Sequence, residues 1–241
     1  MQPPLLAQPP QAVLFDAYGT LFDVHSVAAL AEQLFGNQGR ALSAAWRDKQ
    51  IEYTRLVSMS QTAGRERDAP FYKPFWDITR DALRHACTQL QLPLSHAYET
   101  QLMNQYRALA AYPENRTVLT QLQQRGVRAG ILSNGDPDML AEALRSAGLD
   151  ALLNPVLSAH SVRRFKTDPA VYDLGPQGLG LPAQAILFVS SNAWDALGAS
   201  WYGYRTLWLN RSGQAFETLG GAPHHVASSL NEVLALFDIH A

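Results

Sequence analysis

Several reactive side chains fall at comparable places along this chain. Asp16 follows the apolar run Ala12-Val13-Leu14-Phe15, and Ser133 and Asn134 follow Gly130-Ile131-Leu132. Ser190, Ser191 and Asn192 follow Ile186-Leu187-Phe188-Val189, with Asp195 a short step beyond, and Lys166 stands in the loop after a short apolar segment at Pro155. A carboxylate such as Asp16 can attack a carbon or phosphorus centre and form a covalent ester. An ammonium and a serine hydroxyl near a helix N-terminus can hold an anion while it does so. Asp195 can then activate or orient the water that opens the ester. Taken singly, each residue has a plainer reading. Asp16 and Ser133 suit turns or helix caps, Asp195 suits the positive end of a helix dipole, and a lone loop lysine is ordinarily solvated. Their recurrence at matching segment ends favours the chemical reading.

Arg47 adds a further cation. On a helix, Ile51 and Thr54 would share its face at i+4 and i+7, which suits either a paired structural arginine or a site residue turned inward. Trp46, Tyr53 and Trp76 fall at helical spacing and read as packing side chains.

These groups need elements to carry them. The run ending at Asp16 is continuously apolar, as a buried parallel strand is. Residues 24–112 then read as almost wholly helical. One helix ends at Gly36, a longer one begins at Ser43, and others are expected over 76–90 and 98–111, with a looser polar stretch at 58–72. From 127 onward strand and helix alternate. Strands are expected over 127–132, 155–157, 185–189 and 206–209. Helices are expected over 137–147, from 169, over 194–201 and over 230–237. Such alternation implies right-handed βαβ units. The expected fold is α/β, a doubly wound Rossmann-like parallel sheet with an inserted all-helical cap. The expected division is a flexible tail over 1–11, a core from 12–22 and 113–241, and a cap over 23–112. Ligands in such sheets bind beyond the carboxyl ends of the strands, where the reactive residues lie.

Bulk properties agree with an enzyme and exclude other classes. The 241 residues are 47% hydrophobic and 17% charged, with net charge -2 and no basic run, which argues against disorder and against nucleic acid as a partner. Cys87 is the single cysteine and reads as a thiol within a helix; no paired-cysteine or HExxH spacing suggests zinc. His224-His225 reads as surface loop. Neither a signal peptide nor a membrane-spanning run is apparent, so a cytoplasmic location is expected.

The stretch Phe15-Asp16-Ala17-Tyr18-Gly19-Thr20-Leu21-Phe22-Asp23 resembles motif I of the haloacid dehalogenase superfamily, and more narrowly the type II L-2-haloacid dehalogenases. Supporting blocks are Ala45-Trp46-Arg47 with Lys49-Gln50-Ile51-Glu52-Tyr53-Thr54, Ile131-Leu132-Ser133-Asn134-Gly135, Leu187 to Asp195 including Ser190-Ser191-Asn192-Ala193-Trp194-Asp195, and Trp208-Leu209-Asn210-Arg211. The resemblance runs from about 12 to 238. It implies hydrolysis of a short (S)-2-haloalkanoate to the (R)-2-hydroxy acid through an ester on Asp16, with no metal and no cofactor, by a homodimer. It implies that Thr20 supports Asp16, and that Ser133, Lys166 and the backbone at Ala17 and Tyr18 hold the substrate carboxylate. Arg47, Asn134 and Trp194 would cradle the halide. Asp195, with Ser190, Asn192 and Lys166, would position water, and Tyr172 would stand near the site.

Phosphatases of that superfamily look like Asp-x-Asp-x-Thr, with further acids for magnesium. Here Tyr18 replaces the second acid, and Ser and Asn fill the later block. Mg²⁺ prefers several hard oxygen ligands, and a departing halide needs no proton, whereas an alkoxide does. Departures from the family are Thr167 where Lys-Pro is usual, a longer, more charged 58–75 segment, and Arg55 in place of an aromatic. They leave room for a relative that opens a strained ring beside a carboxylate, such as azetidine-2-carboxylate, and the remaining alternatives are a phosphatase and a non-catalytic binder.

Overall fold

Six strands, β1 (Ala12–Phe15), β2 (Arg128–Ser133), β3 (Val156–Ser158), β4 (Ile186–Ser190), β5 (Arg205–Leu209) and β6 (His225–Ala227), form one parallel sheet of order β3-β2-β1-β4-β5-β6. They are seen in a computed structural model that describes residues 8–60 and 71–237. All residues of β1, β4 and β5 are buried. The unbroken apolar runs of β1 and of Ile186 to Val189 in β4 follow from helices covering both faces of the sheet, which leaves no wet face to favour alternation.

Eight α-helices accompany the strands among the described residues: α1 (His25–Phe35), α2 (Gly39–Met59), α3 (Phe75–Gln89), α4 (His96–Arg107), α5 (Asn115–Gln124), α6 (Pro137–Ala147), α7 (Pro169–Leu179) and α8 (Ala193–Tyr202). The first four pack on one another, α2 against both α1 and α3, and α1 against α4. The other four pack beside the strands, α8 on β4 and β5 and α7 on β2 and β3. This is the doubly wound Rossmann-like arrangement with its helical insert after β1.

Local chemistry sets the start of α7 and the end of α6. Pro169 opens α7 behind Asp168, whose carboxylate accepts from Ala170 N–H at 2.9 Å. Gly148 closes α6 in the left-handed conformation at φ 62°, where a side chain is disfavoured. Cys87 lies buried within α3, and burial pushes its thiol up to about 11.

The structure also corrects several expectations. Helix α2 begins at Gly39 rather than 43 and continues to Met59, into the stretch expected to be loose. Residues 61–70 of that stretch and residues 1–7 of the N-terminal tail lie outside the described residues. Helix α5 was unforeseen. The segment over 230–237 is a 3-10 helix. His224 is exposed in the loop before β6, as expected, with its Nδ1 accepting from Thr206 N–H at 3.1 Å, whereas the partly buried His225 is not loop and opens strand β6. Burial lowers the affinity of both rings for a second proton.

Strand order places the site. The chain winds from β1 outward to β2 and β3, then returns to the other side of β1 for β4, β5 and β6. Such a reversal opens a crevice beyond the carboxyl ends of the strands on either side of it. Phe15 is in register with Ile131 of β2 and Val189 of β4, so Asp16, Ser133 and Ser190 emerge at neighbouring points of one edge.

Candidate active site

Asp16 leaves β1 with its N–H bonded to Val189 O at 2.9 Å, which carries the sheet ladder one residue further and aims the side chain along the crevice. Its carboxylate is held on both oxygens. Thr20 Oγ1 donates to Oδ2 at 3.1 Å and Asn192 Nδ2 donates to the same oxygen at 2.9 Å. Lys166 Nζ donates to Oδ1 at 3.0 Å. Thr20 is fixed in turn by Ser191, whose N–H donates to Thr20 Oγ1 at 2.8 Å. The tight turn that brings Thr20 back uses Gly19 at φ 92°.

Lys166 is 1% exposed and bridges two acids, donating to Asp195 Oδ2 at 2.8 Å as well as to Asp16. Burial alone would pull its ammonium below the ordinary value. The Asp16 and Asp195 carboxylates outweigh burial and leave it raised. Burial raises the Asp195 carboxyl; Lys166 works against that shift and Asp16 adds to it. Tyr172 completes the shell, its hydroxyl donating to Asp195 Oδ1 at 2.8 Å. Burial followed by the Asp195 charge pushes the Tyr172 phenol well above its ordinary value, so it remains a donor. The loop bearing Lys166 is held although Thr167 follows it, because Lys166 N–H donates to Asn134 Oδ1 at 2.8 Å.

Ser133 Oγ accepts from Gly135 N–H at 3.1 Å, which leaves its hydroxyl hydrogen for an acceptor in the crevice. Gly135 has no room for a side chain, since a Cβ there would stand 2.7 Å from the Tyr18 ring. Tyr18 is buried between Phe22, Phe75 and Tyr106. Burial drives its phenol well above the ordinary value.

Arg47 reaches in from α2. Its Nη2 donates to Asn192 Oδ1 at 3.0 Å and its Nη1 to Gln50 Oε1 at 3.0 Å. The guanidinium is thus turned inward and hydrogen-bonded at both ends. Together with Asp16, Tyr18, Ser133, Asn134, Lys166, Asn192 and Trp194 it surrounds a cavity of about 20 Å³. That is room for little more than one water. The Asn192 side chain meets Asp16 and Arg47, while its carbonyl accepts from Asp195 N–H at 3.1 Å, and Ser190 lies fully buried, its Oγ accepting from Asn192 N–H at 3.2 Å. Ala17 follows the nucleophile, and its carbonyl accepts from Leu21 and Phe22 at 2.9 and 3.0 Å.

Sequence reasoning missed Gln50, Ile51, Thr54 and Phe75 as cavity walls, and Tyr106 and Asp136 behind them. Arg55 stacks on the Trp194 ring at 5.4 Å, a contact its departure from an aromatic did not suggest.

The donor set is a poor one for a divalent metal. An ammonium stands between the two carboxylates, in the place a cation would take, and the neighbouring oxygens come from Ser, Asn and Thr. Among the described residues no group of three His, Cys, Asp or Glu is placed to hold a metal ion.

A haloacid dehalogenase-like hydrolase family model matches residues 10–203. The chain belongs to that family. It is 42% identical over 231 residues to an (S)-2-haloacid dehalogenase of Pseudomonas sp. (strain YL), covering 96% of each chain. A crystal structure of an L-2-haloacid dehalogenase superposes with a TM-score of 0.89 at 53% identity, over 95% of this chain and 98% of that one. Another, from Xanthobacter autotrophicus with chloropropionic acid covalently bound, gives a TM-score of 0.84 at 32% identity, over 94% of this chain and 98% of that one. At this site the Asp16 carboxylate stands two residues before a tyrosine rather than a second acid.

Proposed function

We propose that this haloacid dehalogenase-family hydrolase converts short (S)-2-haloalkanoates to (R)-2-hydroxy acids through an ester on Asp16. The carrying observation is the Asp16 carboxylate, anchored on one oxygen by Thr20 and Asn192 and facing Lys166 with the other, with Tyr18 where a general acid would stand. An anchored carboxylate loses little freedom on reaching the transition state, and a halide leaves without a proton.

Substrate carboxylate is held by Ser133, Lys166 and the backbone at Ala17 and Tyr18. An Asp16 oxygen attacks C2, the new C–O bond inverts that carbon, and the C–X electron pair leaves with the halide. Arg47, Asn134 and Trp194 receive the halide; a guanidinium offers several fixed donors for it. Water then attacks the ester carbonyl carbon of Asp16, losing a proton to Asp195, while Ser190, Asn192 and Lys166 keep both acids oriented. The acyl C–O bond breaks, the hydroxy acid takes the proton held by Asp195, and Asp16, left as the carboxylic acid, releases the second proton of the water to solvent and returns to its carboxylate. The reaction so written uses no cofactor.

The catalytic unit comprises residues 12–22 and 113–241, with 23–112 as a cap bearing Arg47. No helix among the described residues is long and apolar enough to cross a membrane, and a buried free thiol at Cys87 suits the cytoplasm. A homodimer is supported by exposed Leu56, Met59 and Phe71 on the cap side, and sedimentation tests it.

The deciding assay is halide release from the two enantiomers of 2-chloropropionate, with and without EDTA. The (S) enantiomer is expected to yield chloride and (R)-lactate, unchanged by EDTA. Loss of activity in EDTA restored by magnesium, or turnover of phosphate esters without halide release, overturns the reading.

A further inference from the structure

Gln50 carries no role in the chemistry above, yet it is 1% exposed and every polar atom of its side chain is engaged. A buried polar side chain costs free energy unless its partners are in place. Here Oε1 accepts from Arg47 Nη1 at 3.0 Å and from the Tyr106 hydroxyl at 3.1 Å, and Nε2 donates to Thr79 Oγ1 at 2.6 Å. The orientation of the amide follows from Thr79. Its one hydroxyl hydrogen goes to Phe75 O, 2.7 Å away within α3, so Thr79 can only accept from Gln50. The amide nitrogen therefore faces Thr79 and the oxygen faces the guanidinium. A reversed amide would set donor against donor at Arg47.

We infer that Gln50 is a positioning residue for Arg47: anchored through Thr79, it fixes the guanidinium against Asn192 where the departing halide must be met. An arginine side chain has many rotamers in the free state, and a site residue works only when that freedom has been removed. Gln50 takes one end of the guanidinium and Asn192 the other, at 3.0 Å each. This rests on the dehalogenase reading and deepens it, because the role concerns leaving-group stabilisation alone.

The test measures single-turnover halide release from (S)-2-chloropropionate and (S)-2-bromopropionate in the wild type, Gln50→Met and Thr79→Val. Met keeps the length of Gln50 without its hydrogen bonds, and Val keeps the shape of Thr79, which touches neither Arg47 nor the cavity. Chloride is the poorer leaving group, so a displaced guanidinium slows it more. In Gln50→Met the bromide-to-chloride rate ratio is expected to rise roughly tenfold, the worth of about one charge-assisted hydrogen bond, with KM little changed. Thr79→Val should move the ratio the same way by about threefold, half that effect on a logarithmic scale. Thermal melts report folding separately. A merely structural role slows both substrates equally, and an unchanged ratio in folded Gln50→Met and Thr79→Val overturns the inference. If the wild type releases halide from neither acid, the dehalogenase reading itself fails and the inference falls with it.

Discussion

Lys166 Nζ meets Asp16 on Oδ1, the oxygen opposite the one taken by Thr20 and Asn192. The nucleophile thus has a neutral anchor on one side and a cation on the other. The same ammonium is bound to Asp195, so one buried charge holds both acids of the proposed two-step reaction.

Replacing Lys166 by Met leaves two buried carboxylates without their shared cation. Removing one partner of a buried ion pair costs about 3–5 kcal/mol, and halide release should fall to background. The Asp195 carboxyl is already raised by burial, and Lys166 is the main influence lowering it, so the variant raises it further. A carboxyl raised in the folded state costs stability above that value and regains it as pH falls through it. The stability deficit of Lys166→Met against the wild type should therefore shrink on acidification. Denaturant melts across pH check this; a deficit that grows as pH falls contradicts the shared-cation arrangement.

Asp16→Asn keeps the size of the side chain but replaces one carboxylate oxygen by an NH2 group and removes the negative charge that makes it a nucleophile. Halide release should drop at least about a thousandfold, whereas calorimetry should still detect binding of a 2-haloacid, because Ser133 and Lys166 remain. Activity within tenfold of wild type would rule out Asp16 as nucleophile.

Tyr172→Phe tests the water-activating half of the site. The Tyr172 hydroxyl donates to Asp195 Oδ1 at 2.8 Å and lowers that carboxyl, opposing the upward push of burial. Asp195 must be ionised to take a proton from water. The wild-type acid limb of kcat should therefore lie above the ordinary aspartate range, and in Tyr172→Phe it should move higher still. The plateau should fall by less than about tenfold, the worth of one hydrogen bond to a charged group. A pH–rate profile whose acid limb stays put or moves down excludes this role.

How far the sequence carried these conclusions depended on what each element needed to form. Helix α6 was legible to the residue because Pro137 and Gly148 mark both ends in its own chain. The strands that deliver Asp16, Ser133 and Ser190 were legible because burial on both faces demands unbroken apolar runs. Helix α5 has Pro113 before it and Gly126, at φ 71°, after it, but it carries only Val118, Leu119 and Leu122 as apolar residues among polar ones, a stripe too thin to stand out. Strand β6 is three residues long and rests on backbone pairing with β5, which side-chain type does not record. Gln50 was hidden for another reason. On a helix it is an ordinary polar residue three positions after Arg47, and only the packing of α3 and α4 against α2 buries it.

Asp136 shows the same limit and yields the last prediction. By sequence it is the N-cap of α6, just before Pro137, yet it makes no side-chain bond to that helix. Its carboxylate instead accepts from Phe75 N–H at 2.9 Å and Trp76 N–H at 2.8 Å, at the start of α3. A loop beyond β2 thereby caps a helix of the insert, with a negative charge at the positive end of its dipole. Phe75 also lines the cavity over Asp16, so this contact sets the height of one wall of the site. Asp136→Ala should cost about 2–3 kcal/mol, since two charge-assisted acceptor contacts are lost from a buried helix end, and so lower Tm by roughly 4–12 °C. KM should rise as Phe75 loosens, and Asp136→Asn, which keeps one acceptor oxygen, should fall between. A Tm unchanged in Asp136→Ala would mean that α3 holds its place over the site without this contact.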